Sequence, residues 1–219
     1  MKVLVTGSSK GIGLSVAKYF LAKGHDVYGF DLLDSAISHN NYHHFIVDVS
    51  KKEQLPDISG IEIIFNNAGT QNSDKDVTNN LIGSIVVIEK YAFNHSIKSI
   101  LFNASSSART GFEFPEYCAS KAGVVGYMKN VAVRIARYGA TCNSISFGGV
   151  LTDSNKPVID DKECWEKIMK ITPLKKWLTL DEVNEWVYFL TVTNKSMSGQ
   201  DVLVDNGELT LNNTFVWPK

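Results

Sequence analysis

Thr6-Gly7-Ser8-Ser9-Lys10-Gly11-Ile12-Gly13 joins a short β-branched run, Val3–Thr6, to an amphipathic stretch, Ile12–Lys23. In that stretch Ile12, Val16, Ala17, Phe20 and Leu21 fall on one helical face, and Gly24 follows as a stop. Glycines at such a junction let the chain turn sharply and bring backbone close to a ligand with no Cβ in the way. The helix start beyond them offers unpaired N–H groups and the positive end of a dipole, which suit a pyrophosphate. The spacing is G-xxx-G-x-G rather than G-x-G-x-x-G, so it is the placement between strand and helix that carries the reading.

Outward from this stretch the same rhythm repeats. Asp26–Phe30, His44–Val47, Glu62–Asn66, Ser99–Asn103 and Thr141–Ser146 read as further buried strands. Asp76–Phe93, Glu116–Tyr138, Lys162–Ile171 and Leu180–Val192 read as helices between and after them. Alternating βαβ units predict a doubly wound α/β fold, with a mainly parallel sheet covered by helices on both faces. No repeat, low-complexity tract or linker divides the chain, so residues 1–219 are expected to form a single domain. In such sheets ligands sit beyond the carboxyl ends of the strands. The second strand ends at Asp31, 18 positions beyond Gly13. An acid there can accept hydrogen bonds from ribose hydroxyls and repel a 2′-phosphate, which favours NAD. Lys10 could reach a phosphate instead, so NADP stays open.

Bulk properties narrow the partners. Of the 219 residues 44% are hydrophobic and 21% charged, with a net charge of -1, so no basic surplus points to nucleic acid. The chain shows neither a signal peptide after Met1 nor an apolar run long enough for a membrane span. Cys118, Cys142 and Cys164 are scattered and odd in number, which suggests a reducing, cytoplasmic setting. His43 and His44 would point to opposite faces of a strand, and no histidine has metal-ligand spacing, so no metal is expected.

After Thr6–Gly13 come Asp48-Val49, Asn66-Asn67-Ala68-Gly69, Asn80-Leu81-Ile82-Gly83, Asn103-Ala104-Ser105-Ser106, Tyr117-Cys118-Ala119-Ser120-Lys121, Ser198-Gly199-Gln200 and Val204-Asp205-Asn206-Gly207. Together, nearly end to end and in order, these segments resemble the short-chain dehydrogenase/reductase family. The resemblance implies a Rossmann-type fold and an NAD(P)-dependent oxidoreductase that interconverts an alcohol and a ketone or aldehyde. It implies catalytic roles for Ser106, Tyr117, Lys121 and Asn80, with Ser105 the alternative serine and Asn79 a neighbour of Asn80. It also implies that the dinucleotide is held by Gly7, Ser9, Lys10, Gly11, Ile12, Gly13, Asp31, Asp48, Val49, Asn66, Ala68, Gly69, Tyr117, Lys121, Val150 and Thr152. A homodimer or homotetramer is implied too. It agrees with apolar residues on more than one face of Asp76–Phe93 and Glu116–Tyr138.

The chemistry of the residues points the same way. Tyr117 and Lys121 are four apart and share a helix face. A neighbouring ammonium stabilises the phenolate of a tyrosine whose ordinary pKa is near 10, so that Tyr117 can exchange a proton with a substrate oxygen. A serine from the preceding strand end could hold that oxygen. The chain also departs from the family. Residues 66–80 and 106–117 are short intervals, and Phe147 stands where the family has proline, adding an aromatic that could face nicotinamide or substrate, narrowing the site, or turn into the core beneath the loop. The substrate loop, about residues 151–173, is compact and offers Lys156, Trp165 and Met169. Two other functions fit parts of the pattern. One is a dinucleotide-binding sensor or regulator without turnover. The other is a sugar-nucleotide epimerase, which the short tail after Thr152 disfavours.

Overall fold

In a computed structural model, residues 1–112, 114–209 and 211 are described. The chain runs β1 (Lys2–Thr6), α1 (Gly11–Ala22), β2 (Asp26–Asp31), β3 (Tyr42–Ile46) and β4 (Ile63–Asn66). A π-helical turn (Val77–Ile82) then leads into α2 (Gly83–Tyr91), β5 (Ser99–Asn103), α3 (Ser107–Thr110), α4 (Pro115–Ile135) and β6 (Thr141–Phe147). Last come α5 (Lys156–Ile159), α6 (Lys162–Ile171), α7 (Leu180–Tyr188), continued by a π-helical turn (Phe189–Thr193), and β7 (Asp201–Val204). The seven strands form one sheet in the order β3-β2-β1-β4-β5-β6-β7, and every pairing is parallel.

Alternation along the strands builds two cores. Val3 and Val5 of β1 join Ile63, Phe65 and Leu101 on the face covered by α1 and α7, through Val16, Phe20, Val183 and Val187. Leu4 joins Phe30, Ile64, Ile100 and Phe102 on the other face, beneath Val87, Ile88, Val124 and Met128 of α2 and α4. Helix α1 stops at Gly24, whose φ of 78° needs no Cβ-bearing residue to strain. The Gly24 and His25 amides donate to the Leu21 and Phe20 carbonyls, closing the last turn. At the start of α7, Thr179 and Glu182 cap each other's backbone amides.

All six strands read from the sequence are present, with ends shifted by up to two residues, and β7 adds a seventh. The helix expected over Asp76–Phe93 is interrupted. Its first part is the wider π-helical turn, which turns Asn80 inward to full burial before α2 begins at Gly83. A Cβ at Gly83 would lie 2.8 Å from Val49 Cγ2, so only glycine allows α2 to sit this close to the loop after β3.

Candidate active site

Strand order reverses between β1 and β4, and their carboxyl ends open a crevice there. Thr6, buried at the end of β1, knits the two together. Its hydroxyl donates to Asn66 Oδ1 at 3.2 Å and accepts from the Asn67 and Ala68 amides at 2.9 Å each. Asn67 Nδ2 returns to the Thr6 and Gly7 carbonyls, at 3.0 and 3.3 Å. Asn103 Nδ2 of β5 donates to Asn67 Oδ1 at 2.8 Å, extending the clamp to a third strand.

The glycine loop is tight for a structural reason. Gly7 and Gly11 have φ of 68° and 54°, and a Cβ on Gly13 would stand 2.0 Å from the Gly7 carbonyl oxygen. Helix α1 has no side-chain cap, and Lys10 before it is extended and exposed. The amides of Gly11, Ile12 and Gly13 are therefore left for a ligand. Asp31 lies beside this loop. Its Oδ2 accepts from the Ser9 amide at 2.9 Å and its Oδ1 from the Leu33 amide at 3.0 Å, so the acid is fastened to the loop it was expected to serve. Asp48 Oδ1 accepts from both the amide and the hydroxyl of Ser50, which with nearby Lys51 and Lys75 holds its carboxyl below the ordinary range. Val49 packs against the core. The uncapped helix, the close glycine turn and the anchored acid fit a dinucleotide.

The Tyr-Lys pair sits at the far end of the crevice. Helix α4 buries Lys121 to 5% exposure, and its Nζ donates to the Asn103 carbonyl at 2.8 Å. That Nζ lies 5.7 Å from the centre of the Tyr117 ring. Burial drives the Lys121 pKa down to about 8, and the negative charge of Asp76 opposes that fall. Gly69 is wedged here: a Cβ would be 2.5 Å from Asn80 Oδ1 and 3.7 Å from Lys121 Nζ. Asn80 is enclosed. Its Oδ1 accepts from the Thr70 amide, while its Nδ2 donates to the Thr70 carbonyl and to Ser120 Oγ. The Ser120 hydroxyl donates in turn to the Tyr117 carbonyl at 2.7 Å. Asn80 thus braces α4 from behind.

The serine run divides by role. The Ser105 hydroxyl donates to Ser107 Oγ and accepts from the Ser107 amide, so it is engaged within its own turn. The Ser106 amide donates to the Phe147 carbonyl, tying this turn to the end of β6. That geometry favours Ser106 as the serine with a hydroxyl to spare.

The loop after β6 corrects one expectation. Phe147 does not face the crevice. It shares strand parity with Ile145, and its ring lies 5% exposed in the core under α7 with Val183 and Val187. Val150 is also buried, and the Leu151 and Leu178 amides donate to the Leu178 and Gly149 carbonyls. Any contact from Val150 to a ligand is therefore through backbone. Thr152 is partly exposed at the start of the substrate loop. Trp177, a residue the sequence reading passed over, lies against Gly149, where a Cβ would be 2.0 Å from its ring. Trp165 of α6 meets it edge-on at 5.2 Å. Lys156 is exposed and paired with Asp153. Other residues without a prior role are Asn67, Asn103 and the buried Asp76. Two stood inside quoted motifs, but their contacts join segments distant in sequence.

Among the described residues no group of three or more His, Cys, Asp or Glu side chains is placed to hold a metal. No described helix is long and apolar enough to cross a membrane. All three cysteines are free.

A doubly wound sheet with a dinucleotide cradle at its switch point and a Tyr117 ring half-buried beside a buried Lys121 defines a nucleotide-dependent oxidoreductase fold. The family described as enoyl-(acyl carrier protein) reductase matches residues 7–208, and the chain belongs to the short-chain dehydrogenase/reductases. It is 29% identical to 2-dehydro-3-deoxy-D-gluconate 5-dehydrogenase of Bacillus subtilis, over 94% of each chain. It is 30% identical to (+)-borneol dehydrogenase 1 of Salvia officinalis, over 95% of this chain and 94% of that one. The solved structure of ElxO with NADP bound superposes with a TM-score of 0.84 at 25% identity, covering 96% of this chain and 99% of that one.

Proposed function

We propose that this protein interconverts a secondary or primary alcohol and the matching carbonyl, using NAD(P) and Tyr117 as the proton-exchanging group. The observation that carries this reading is Lys121: a cation buried beside the Tyr117 ring and fastened to the Asn103 carbonyl. An ammonium is costly to bury, and its field here favours the phenolate of Tyr117. Tyr117 then takes the proton from an alcohol or returns it to a carbonyl oxygen, which Ser106 holds by a hydrogen bond. Asn80 and Ser120 keep the first turns of α4 in register for that exchange. Gly11, Ile12 and Gly13 would hold the diphosphate through their amides, Asp31 the adenosine ribose, and Lys121 the second ribose. When bound, the nicotinamide supplies or accepts the hydride. The relatives act on a sugar acid and a terpene alcohol, so the family alone does not pick the substrate. A thermal-shift and turnover screen of NAD(H) and NADP(H) against alcohols and carbonyls tests this reading. Cofactor binding with no turnover across a broad library would replace it by a sensor or regulatory role.

Asp31 supports NAD as the preferred form, because its charge would repel a 2′-phosphate. Asp31→Ala is expected to relax that preference by roughly ten- to a hundredfold, or about 1–3 kcal/mol. Affinity for both forms should also drop, since the Ser9 amide loses its anchor. A wild-type preference for NADP(H) would overturn the assignment.

Residues 1–219 act in this reading as one catalytic unit that pairs with copies of itself. Support comes from α4, which leaves Val133 77% exposed, and from the turn before α2, which leaves Ile82 43% exposed. The expected product is a homodimer or homotetramer. A monomer by light scattering at micromolar concentration would rule that out.

A further inference from the structure

Asp76 is a buried charge for which the chemistry above has no use. Its residue is 1% exposed, between β4 and the π-helical turn, and a carboxylate in such a place is costly unless its environment is built for it. The environment is built. Thr70 Oγ1 donates to Asp76 Oδ1 at 2.7 Å, and the Ser73 hydroxyl donates to the same oxygen at 2.8 Å. Burial pushes the carboxyl pKa up, but these hydroxyls and the Ser73 and Asn72 backbone outweigh it and hold it below the ordinary range. Asp76 is therefore an anion, and Thr70 is its link to the site. The Thr70 backbone is bonded on both sides to Asn80, which holds Ser120 and through it the Tyr117 carbonyl.

The other end of this cluster is Lys121. Around its ammonium, β5 presents the Asn103 carbonyl, the π-helical turn presents Asn80, and the connection after β4 presents Gly69 next to Thr70. Helix α4 itself presents Tyr117. Among the described residues, the charged group that bears on Lys121 is Asp76.

We propose that Asp76 is a positioning residue, the buried counter-charge that keeps the Lys121 ammonium protonated while its hydrogen-bonded loop fixes Thr70, Asn80 and Ser120 behind Tyr117. The proposal deepens the proposed function and rests on its assignment of Lys121. A carboxylate joined to the site through Thr70 and Asn80 supplies the counter-charge without an ion pair, so that the lysine donates to the Asn103 carbonyl and keeps a donor for a ligand.

The test is a carbon NMR titration of lysine Cε in the protein without cofactor, with the Lys121 signal identified by its loss in Lys121→Met. Asp76→Asn suits the test because both hydroxyls bond the same oxygen, so an amide can keep those two contacts while it removes the charge. Lys121 is expected to lose its proton about one pH unit lower in Asp76→Asn than in wild type. The alkaline limb of kcat/KM should move down with it. A Lys121 titration that does not move in folded Asp76→Asn overturns the proposal, even if the rate falls. The NMR readout needs no turnover, so it stands apart from any failure to find a substrate. Should Asp76→Asn not fold, the Asp76 carboxyl is titrated in Lys121→Met. Coupling is reciprocal, so that pKa should rise, and an unchanged value overturns the proposal.

Discussion

Tyr117→Phe is expected to lower turnover by at least about a hundredfold, the scale on which a positioned proton donor acts. The ring remains, so its packing beside Lys121 and the path of α4 are kept, and the hydroxyl with its exchangeable proton is lost. Cofactor affinity should therefore stay near wild type, because the glycine loop and Asp31 lie at the other end of the crevice. Steady-state rates and a binding titration on the same preparation separate the two quantities. Turnover within tenfold of wild type would remove Tyr117 from the role. A parallel collapse of cofactor affinity would instead show that the phenol oxygen helps to shape the binding site.

The second large effect is two-sided. Lys121→Met should abolish turnover and weaken cofactor binding, yet leave a more stable protein at pH 7. Holding the ammonium in place with its pKa down at about 8 costs on the order of 3 kcal/mol. Leaving the Asn103 carbonyl without its partner gives back about 1–2 kcal/mol, so a net gain on the order of 1–2 kcal/mol remains. The same shift predicts a pH signature. The folded-state pKa lies below the ordinary 10.5, so between about 8 and 10.5 the folded chain carries fewer protons than the unfolded one. Wild-type stability should therefore rise with pH across that window, with no slope from this group below it. Chemical denaturation at several pH values reads both effects. A less stable Lys121→Met with an unchanged pH slope would contradict them. A variant that gains stability as it loses activity is what a functional buried charge predicts.

Much of the fold was legible because its signals are local. Short β-branched runs, the glycine at the end of α1 and the spacing of apolar residues each act within one turn or one strand. The six strands therefore appear close to where their residues place them. The seventh, Asp201–Val204, was flanked by recognised segments but is a short edge strand, and its residues are only half buried. The π-helical turn was not legible, because its wider winding serves the burial of Asn80 and depends on what packs against it.

The site divides along the same line. Sequence alone determined the kinds of groups present and their spacing: a glycine loop before a helix, an acid after the second strand, a tyrosine and a lysine one helical turn apart. It could do so because each is a local pattern within one strand, turn or helix. Tertiary structure alone decided which way those groups face and what surrounds them. It turned Phe147 into the core with Ile145, engaged Ser105 within its turn, enclosed Asn80 and fastened Asp31 to Ser9. It also buried Asp76 where its charge bears on Lys121, 45 positions away in the sequence. The physical reason is that burial and charge act through space, and the neighbours that supply them come from strands and helices that only the folded sheet brings together.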